Sequence, residues 1–354
     1  MPAMGQSASS RELDPLPDGT PVRALTIGSA PGPVVDVLTL GATVHRLEVG
    51  CGDGTRRNVV LGHPDSVERL ASGDYVGGTI GRYANRIAGG RFELDGREVA
   101  VGVHDRGNSL HGGPDGFDRR VWDVVEHSSD EVVLSLVSPD GDQGFPGTVE
   151  ALVRYRVDGA RVAVTMEATT DATTVVSLTN HAYLNLDGEG AGTIDDHLLT
   201  VAAGRYTPVD ETGIPVGDHS SVEATPFDLR TPTLLGPVIR REHPQLVWGH
   251  GLDHNYVLDG EGLRTAAVLE SPLTGTRLEL RTDQPGLQVY TGNFLDGTRR
   301  STSGGRHRQG DGIALEPQLF PDSPNRPEWP SATLRPGETY RSVLEWEFST
   351  VAQR

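Results

Sequence analysis

The sequence predicts an all-β protein, a large antiparallel sandwich or barrel, and three observations lead to that prediction. Asp-Gly, the dipeptide that best fits a two-residue β-hairpin turn, occurs ten times along the 354 residues. Several segments between these turns alternate apolar and polar residues, with the period of two expected of a half-buried strand. The 3.6-residue period of a helix is scarce, so helices are expected only as short pieces.

The regular elements can be placed in chain order from these patterns. A short helix is expected at 64–71 and a turn or two of helix at 233–241. The segments with the alternation of strands are 162–167, 173–186, 277–281, 287–294, 312–318 and 341–348. No fixed-period repeat or linker divides the chain, so residues 21–354 are predicted to form a single domain after a flexible N-terminal extension over residues 1–20.

The segment 173–186 has the clearest two-faced pattern. One parity is apolar, and the other carries the hydroxyl, imidazole and amide side chains Ser177, Thr179, His181, Tyr183 and Asn185. We expect one face against the core and one polar face, which either meets solvent or offers hydrogen bonds to a sugar. Asn180 interrupts the apolar parity and predicts a bulge or a buried, hydrogen-bonded amide.

Composition excludes several classes of partner and mechanism. The net charge of −18 argues against nucleic acid and against an anionic membrane as partners. All 31 basic residues are arginine, which excludes a catalytic Schiff-base lysine. Cys51 is the single cysteine, and residues 1–20 lack the features of a secretory signal, so a cytoplasmic location is expected. No apolar run is long enough for a membrane span, and the composition leaves monomer and dimer open.

One carboxylate ends an apolar run that has the alternation of a strand. In the segment 312–318, Ala314 and Glu316 share one strand face, and Ile313 and Leu315 share the other. Pro317 favours extended geometry at Glu316 and is expected to end the regular pairing. A carboxylate in this place is aimed by a rigid strand, although taken alone a solvated strand end is the commoner explanation.

Eight further segments combine glycine, aromatic and ionisable residues in a specific order. They are GRYANRIAGG, NSLHGG, GFDRRVW, DGDQGFPG, NHAYLNLDG, GLDHNYVL, LQVYTGNFLDG and ALEPQLFPD. In order and spacing they resemble the aldose 1-epimerase, or galactose mutarotase, family, and the resemblance covers about residues 41–348. The sequence departs from the family pattern at Ala182 and Leu184, and at Leu319 and Phe320, where the family often has Asn-Trp.

The resemblance implies a β-supersandwich that binds a sugar on a concave sheet. It implies that Glu316 is the catalytic base and His181 the catalytic acid. It also implies substrate contacts from Asn85, Arg86, His111, Asp253 and Gln288. The implied activity is that of an isomerase of galactose and hexose metabolism, which interconverts the α and β anomers of free aldohexoses without a cofactor or a metal. A monosaccharide is the only partner that this activity needs.

These residue types suit that chemistry. A base removes the proton of the C1 hydroxyl while an acid protonates the ring oxygen, and the open aldehyde then closes on its other face. Glu316 suits the base and His181 the acid, and Asp253, if it is close, would help to keep His181 protonated. We expect a bell-shaped pH profile with its acid limb from Glu316 and its alkaline limb from His181.

Three other functions would use part of the same residue set. A glycoside hydrolase would use Asp253 and Glu316 as a carboxylate pair roughly 5–9.5 Å apart. A non-catalytic sugar-binding protein would not need both His181 and Glu316. A hexose-6-phosphate 1-epimerase would need a phosphate site, for which the arginines of 299–308 are candidates, although a solvated hairpin loop is the commoner explanation of such a charge run.

A zinc site was considered because two histidines have a suitable spacing. His250 and His254 are four residues apart, as in a helical ligand pair. Gly251 between them and the strand-like run that follows disfavour a helix through both. The sequence therefore predicts no metal site.

Overall fold

The computed structural model describes residues 8–351, and strands are the main regular element of that part. In chain order its first strands are β1 (Ser9–Glu12), β2 (Arg23–Gly28), β3 (Val34–Leu38), β4 (Thr43–Gly50), β5 (Arg56–Asn58), β6 (Thr79–Ile80), β7 (Arg86–Ile87), β8 (Arg91–Leu94), β9 (Arg97–Ala100), β10 (Ser109–Leu110), β11 (Asp123–His127), β12 (Glu131–Ser138), β13 (Val149–Asp158) and β14 (Arg161–Thr170). They are followed by β15 (Thr174–Val175), β16 (Thr179–Asn180), β17 (Tyr183–Leu184), β18 (Leu198–Val201), β19 (Arg205–Tyr206), β20 (Ser220–Ser221), β21 (Thr233–Leu234), β22 (Asp253–Val257), β23 (Arg264–Ser271), β24 (Thr276–Thr282), β25 (Gly286–Tyr290), β26 (Asp296–Arg300), β27 (Arg306–Arg308), β28 (Ile313–Gln318), β29 (Thr333–Leu334) and β30 (Tyr340–Thr350).

The helices of the described residues are short. They are α1 (Ser66–Ala71), α2 (Leu235–Ile239) and α3 (Pro244–Gly249). The first two confirm the helices predicted at 64–71 and 233–241, and α1 begins where the Asp65 carboxylate accepts from the Glu68 N–H. The third was not predicted from the sequence. None of the helices described here has the length and apolar character required to cross a bilayer.

The largest sheet within residues 8–351 has nine strands, in the order β11-β12-β13-β14-β30-β24-β23-β18-β21. Its pairs are antiparallel, which confirms the predicted all-β antiparallel fold class. The predicted strands 162–167, 277–281 and 341–348 lie in β14, β24 and β30, at the centre of this sheet. The Asp-Gly turn predicted at Asp158 joins β13 to β14.

Two further sheets share the core of the nine-stranded sheet. One has six strands, in the order β17-β28-β25-β22-β19-β20, and one has five strands, β1 to β5, within the described residues. Val289 and Leu315 of the six-stranded sheet, Val37 of the five-stranded sheet, and Leu344 and Trp346 of the nine-stranded sheet belong to one buried cluster. The layers confirm the predicted β-supersandwich, and the face of the six-stranded sheet away from this cluster is left for a site.

The segment 173–186 is not the continuous strand that its pattern predicts. It forms β15, β16 and β17, which pair with three different partners, β29, β6 and β28. Residues 174–186 are buried on both parities, so a polar face that meets solvent, one of the two expected alternatives, is wrong. The Asn180 side chain donates to the Gly77 carbonyl and accepts from the Ala182 N–H. These bonds confirm the buried, hydrogen-bonded amide predicted at Asn180.

Pro317 lies inside β28, so the expectation that pairing ends at this residue is wrong. Pairing with β25 continues through Leu287 opposite Pro317 to Gly286 opposite Gln318. On the other edge of β28, β17 pairs only as far as Ala314. Because no strand accompanies Pro317 on that edge, its missing N–H costs no ladder hydrogen bond.

The N-terminal extension predicted over residues 1–20 falls partly outside the described residues, which begin at residue 8. Within it, β1 pairs with β2 at the edge of the five-stranded sheet, and all four of its residues are exposed. The boundary at residue 21 between the extension and a single domain stays a prediction.

Candidate active site

Three adjacent strands of the six-stranded sheet present polar side chains on the face opposite the core. The register places Asn255 of β22 opposite Gln288 of β25, and Gln288 opposite Glu316 of β28. Asp253 lies two residues before Asn255 and therefore on the same face. Strand alternation sends the apolar neighbours of Gln288 and Glu316 into the core, so the polar row is held by the packing behind it.

A second wall comes from a short strand pair, β7 with β10, and the turns beside it. Asn85 and His111 flank this pair with φ angles of 66° and 50°, in the left-handed region. The Asn85 N–H donates to His111 Nδ1 at 3.1 Å, and the His111 N–H donates to the Asn85 carbonyl at 3.0 Å. The Asn85 Oδ1 accepts from the Arg86 N–H at 2.9 Å. These bonds turn the three side chains toward the polar face of the six-stranded sheet.

His181 enters the site from the irregular segment between β16 and β17. Its backbone is fixed by bonds with Gly77 and Gly78, and its ring lies among aromatic rings. The centroid of the Tyr183 ring is 4.9 Å away, and the centroid of the His111 ring is 5.3 Å away in an edge-to-face arrangement. The imidazole is therefore held between an aromatic floor and the second wall.

A cavity of about 670 Å³ lies between these walls, and the seven residues predicted from the sequence all line it. They are Asn85, Arg86, His111, His181, Asp253, Gln288 and Glu316. The chain separation between the first and the last exceeds two hundred residues, and the fold brings them to one place. Their individual roles stay predictions, because geometry alone does not test a catalytic role.

Glu316 and His181 face each other at the bottom of this cavity. Glu316 Oε1 is 3.6 Å from His181 Nε2, and the two side chains are 2% and 4% exposed. Burial, and then the charge of Asp253, raises the pKa of Glu316 well above its usual value, and Arg86 offsets this only in part. Burial lowers the pKa of His181 to about 3. The neutral pair of carboxylic acid and imidazole is therefore favoured over the ion pair in the free protein.

Asp253 does not have the effect on His181 that the sequence suggested. Its Oδ1 accepts from Gln288 Nε2 at 2.7 Å, and its charge acts on Arg86 and Glu316. Burial disfavours the charge of Arg86, but Asp253 and Asp105 together raise the pKa of Arg86 above its usual value. The expectation that Asp253 keeps His181 protonated is wrong, because burial decides the protonation of that imidazole.

The residues His111, His181 and Glu316 have potential metal-ligand atoms within 4.8 Å of one another, but the hydrogen bond at His111 does not fit a metal site. His111 Nδ1 accepts a backbone N–H, so the hydrogen of its neutral ring is on Nε2. A nitrogen that carries a hydrogen has no lone pair for a metal ion. His111 is therefore built as a hydrogen-bond donor, and two ligands remain, which is fewer than a stable site uses.

The other predicted features lie away from the cavity. The segment that contains Arg299 to Arg308 forms the hairpin β26–β27, and Arg300 of this hairpin pairs with Asp65 and Glu68. No arginine of this hairpin lines the described cavity, whose arginines are Arg86 and Arg106. The position of this hairpin therefore does not support a phosphate site next to the cavity, as a hexose-6-phosphate 1-epimerase would need.

The two histidines considered for zinc are also separated by their local structure. His250 ends α3 in the left-handed conformation, and His254 follows in β22. The His254 ring is buried and its Nε2 lies 3.0 Å from Gln245 Oε1. The two residues are thus not on one helix, which agrees with the expectation from the sequence that no helix runs through both.

Sequence reasoning missed several residues that line the cavity. Tyr75 packs on the His111 ring, with centroids 4.6 Å apart, and Asp105 accepts from Arg86. Trp248 and Phe294 form an aromatic rim and are 40% and 45% exposed. Asp105 lies three residues before the NSLHGG segment, which was the one available signal. Phe294 lies within the LQVYTGNFLDG segment, which was a signal for it. Tyr75 and Trp248 have no local pattern that separates them from ordinary surface aromatics.

The sequence comparisons agree with this geometry. A family model described as aldose 1-epimerase matches residues 23–347. The chain is 43% identical to the galactose mutarotase of Rattus norvegicus over 316 residues, which cover 89% of this chain and 91% of that protein. It is 41% identical to the aldose 1-epimerase of Escherichia coli (strain K12) over 340 residues, which cover 94% of this chain and 96% of that protein.

Solved structures give the same result for the fold. The crystal structure of a galactose 1-epimerase from Lactobacillus acidophilus NCFM has a TM-score of 0.85 and 30% identity, covering 98% of this chain and all of that one. An aldose epimerase homologue from C. elegans has a TM-score of 0.87 and 30% identity, covering 97% of this chain and all of that one. The similarity therefore extends over the whole architecture that forms the cavity.

Proposed function

The chain belongs to the aldose 1-epimerase family, and from this premise we propose that it interconverts the α and β anomers of free aldohexoses such as glucose and galactose. The observation that carries the proposal is the meeting of Glu316 and His181, 3.6 Å apart, in a cavity lined by five further hydrogen-bonding side chains. The protein is thus an isomerase of carbohydrate metabolism, and its partner is a monosaccharide.

The reaction needs one proton taken and one proton given. The base removes the proton from the C1 hydroxyl, the acid protonates the ring oxygen, and the C1–O5 bond breaks to give the aldehyde. Rotation about C1–C2 presents the other carbonyl face, and closure returns both protons to their donors. We assign the base to Glu316 and the acid to His181.

The resting protonation has to change for these roles. In the free protein the proton that the pair shares is on Glu316. This proton must move to His181 when a sugar fills the cavity. The charge of Arg86 favours the ionised carboxylate, since it lowers the pKa of Glu316. Sugar hydroxyls that replace water near the pair would orient the same transfer. The ionised pair is then formed only in the complex, where its two members face the reacting oxygens.

The five other side chains have hydrogen-bonding groups suited to the remaining hydroxyls. The His111 Nε2–H donates, the charged Arg86 fork donates, and the amides of Asn85 and Gln288 offer both kinds of group. No described protein group pairs with the Gln288 Oε1, although it is buried. A buried acceptor without a partner is costly, so a sugar hydroxyl that donates to it would be bound favourably.

A cytoplasmic location is also proposed, on the strength of the single, buried cysteine. Leu319 and Phe320, which depart from the family pattern, do not line the cavity.

Polarimetry tests the proposal directly. Freshly dissolved α-D-glucose, α-D-galactose and two aldopentoses are followed with and without the protein, and an accelerated approach to the equilibrium rotation is expected for at least one hexose. The matched control is the Glu316→Gln variant at the same concentration, which excludes catalysis by buffer or contaminants. No acceleration with any of the sugars would contradict the proposed function.

A further inference from the structure

Asp105 is a charged residue of the cavity that neither the sequence motifs nor the mechanism above uses. It lies in the turn before β10, where its backbone bridges to Asn108. Its Oδ2 accepts from Arg86 Nε at 2.8 Å, and its side chain is 22% exposed while that of Arg86 is 8% exposed. The bond is thus made at the edge of the cavity, with the arginine on the buried side.

The guanidinium of Arg86 makes a hydrogen bond to the protein on one edge, and its other edge is available to a ligand. Its Nε hydrogen goes to Asp105, and within the described residues no hydrogen bond to protein is made by its Nη1 or Nη2. Since the guanidinium is planar, a bond at Nε sets the direction of the Nη pair. That pair is the part of Arg86 that meets a ligand in the cavity.

A backbone turn presses on the flat side of the same guanidinium. Gly213 lies so close that a side chain there would come within 2.9 Å of Arg86 Cζ. The turn is held by Asp210, whose Oδ1 accepts from the N–H groups of Thr212 and Ile214. The turn limits rotation of the guanidinium plane, and Asp105 fixes its orientation within that plane.

The second carboxylate near Arg86 makes no hydrogen bond to it within the described residues. Asp253 attracts Arg86 through its charge, but its Oδ1 is bonded to Gln288 Nε2. In the described residues, the hydrogen bond that orients Arg86 is the one that its Nε–H donates to Asp105.

We propose that Asp105 is a positioning residue for Arg86, which it holds with the Nη pair directed at the sugar. The inference rests on the proposed function and extends it to a residue that acts through another. Removing Asp105 leaves a buried, charged arginine that can rotate within the cavity, and misplacement of a substrate-gripping group weakens both ground-state and transition-state binding.

The test is a mutant cycle between the two residues. Asp105→Ala, Asp105→Glu, Arg86→Ala and the Asp105→Ala/Arg86→Ala double variant are assayed by polarimetry, and calorimetric sugar affinities replace KM where turnover is too slow. We expect Asp105→Ala to raise KM on the order of tenfold with a smaller change in kcat. Asp105→Glu should recover part of the loss, and Asp105→Ala should have no further effect in the Arg86→Ala background.

A matched control separates this role from a general structural one. Asp228 accepts from Arg230 at 2.8 Å and 2.7 Å, its carboxylate is 30% exposed against 22% for Asp105, and it does not line the cavity, so Asp228→Ala should keep the wild-type KM. An equal loss from Asp105→Ala in both backgrounds, or a wild-type KM in Asp105→Ala, would overturn the inference. Wild-type protein that does not accelerate mutarotation would instead contradict the proposed function itself.

Discussion

At the scale of single residues, burial sets the protonation of the two groups that are proposed to move protons. Glu316 lies in the cavity floor with a raised pKa, and His181 beside it has a pKa of about 3. The pair needs one proton between its two members, and the reaction can start only from that singly protonated state. The environment thus keeps the pair in the correct total protonation across a wide range of pH.

The pH profile is expected to be bell-shaped, with limbs assigned oppositely to the sequence-based expectation. As pH falls through about 3, His181 becomes protonated and the pair then holds two protons, so activity is lost on the acid side. As pH rises through the raised pKa of Glu316, the pair loses its only proton, so activity is lost on the alkaline side. We expect kcat/KM of Glu316→Gln to keep no alkaline limb in its residual activity. Loss of the acid limb instead would restore the first assignment.

Removal of the base is expected to affect turnover more than binding. Glu316→Gln keeps the size and most hydrogen bonds of the side chain but removes proton acceptance, so kcat should fall by about 100-fold or more with KM little changed. His181→Asn should behave alike, and because the two act in one cycle the double variant should be far from multiplicative. The kinetic constants come from polarimetry, and a near-wild-type kcat in Glu316→Gln would move the base elsewhere, with Asp253 tested first.

At the scale of elements, the two walls of the site are formed in different ways. Strand register aligns the side chains of one wall, and turns with positive φ angles position those of the other. The β22-β25-β28 register alone aligns Asp253, Gln288 and Glu316 on one face. The opposite wall depends on positive φ angles at Asn85 and His111 and on glycines that approach other backbone closely. This second wall is therefore the part of the site most sensitive to small substitutions.

Gly112 provides a test of that sensitivity. A side chain at Gly112, which has a φ of 86°, would lie 1.9 Å from the Gly81 carbonyl oxygen, so Gly112→Ala must displace backbone beside His111. We expect it to lower the free energy of unfolding, measured in urea, by more than the roughly 1–2 kcal/mol of a left-handed alanine, and to abolish activity. Gly96→Ala is the matched control, since Gly96 has a φ of 75° and open space. Equal losses in both variants would contradict the close-packing argument.

At the scale of the whole molecule, the sandwich is a rigid scaffold, and one face of its six-stranded sheet can therefore present many polar groups to a cavity. The core behind the six-stranded sheet is apolar and shared by all three large sheets, so the sheet does not need its other face for stability. The reaction in that cavity moves only protons, and every group proposed for it belongs to the chain itself. The molecule is thus expected to need nothing besides its substrate.

Mutarotation is accordingly expected to be insensitive to chelators. Excess EDTA followed by desalting should leave kcat and KM unchanged, because the proposed reaction needs no Lewis acid and because His111 holds its hydrogen on the nitrogen that would have to bind a metal. A known zinc enzyme treated in parallel shows that the chelation was effective. Loss of activity that a divalent cation restores would contradict both the proton-transfer mechanism and the hydrogen-bond argument.

The fold class, three central strands of the nine-stranded sheet and the seven candidate residues were predictable from the sequence. These follow from local information: Asp-Gly turns, the period of two along β14, β24 and β30, and short segments whose order is specific to one family. Glu316 on the polar parity of its strand is an example, because alternation alone assigns its face. Such features need no knowledge of which distant segments meet.

Only the tertiary structure shows the shape of the segment 173–186, the continuation of β28 through Pro317, the protonation of Glu316 and His181, and the bond that Arg86 donates to Asp105. Each of these depends on segments distant in the chain: on the partners that Asn180 finds, on the strand that is missing beside Pro317, and on how deeply two ionisable groups are buried. Pairing and desolvation are properties of the assembled fold, and a sequence pattern contains no measure of either.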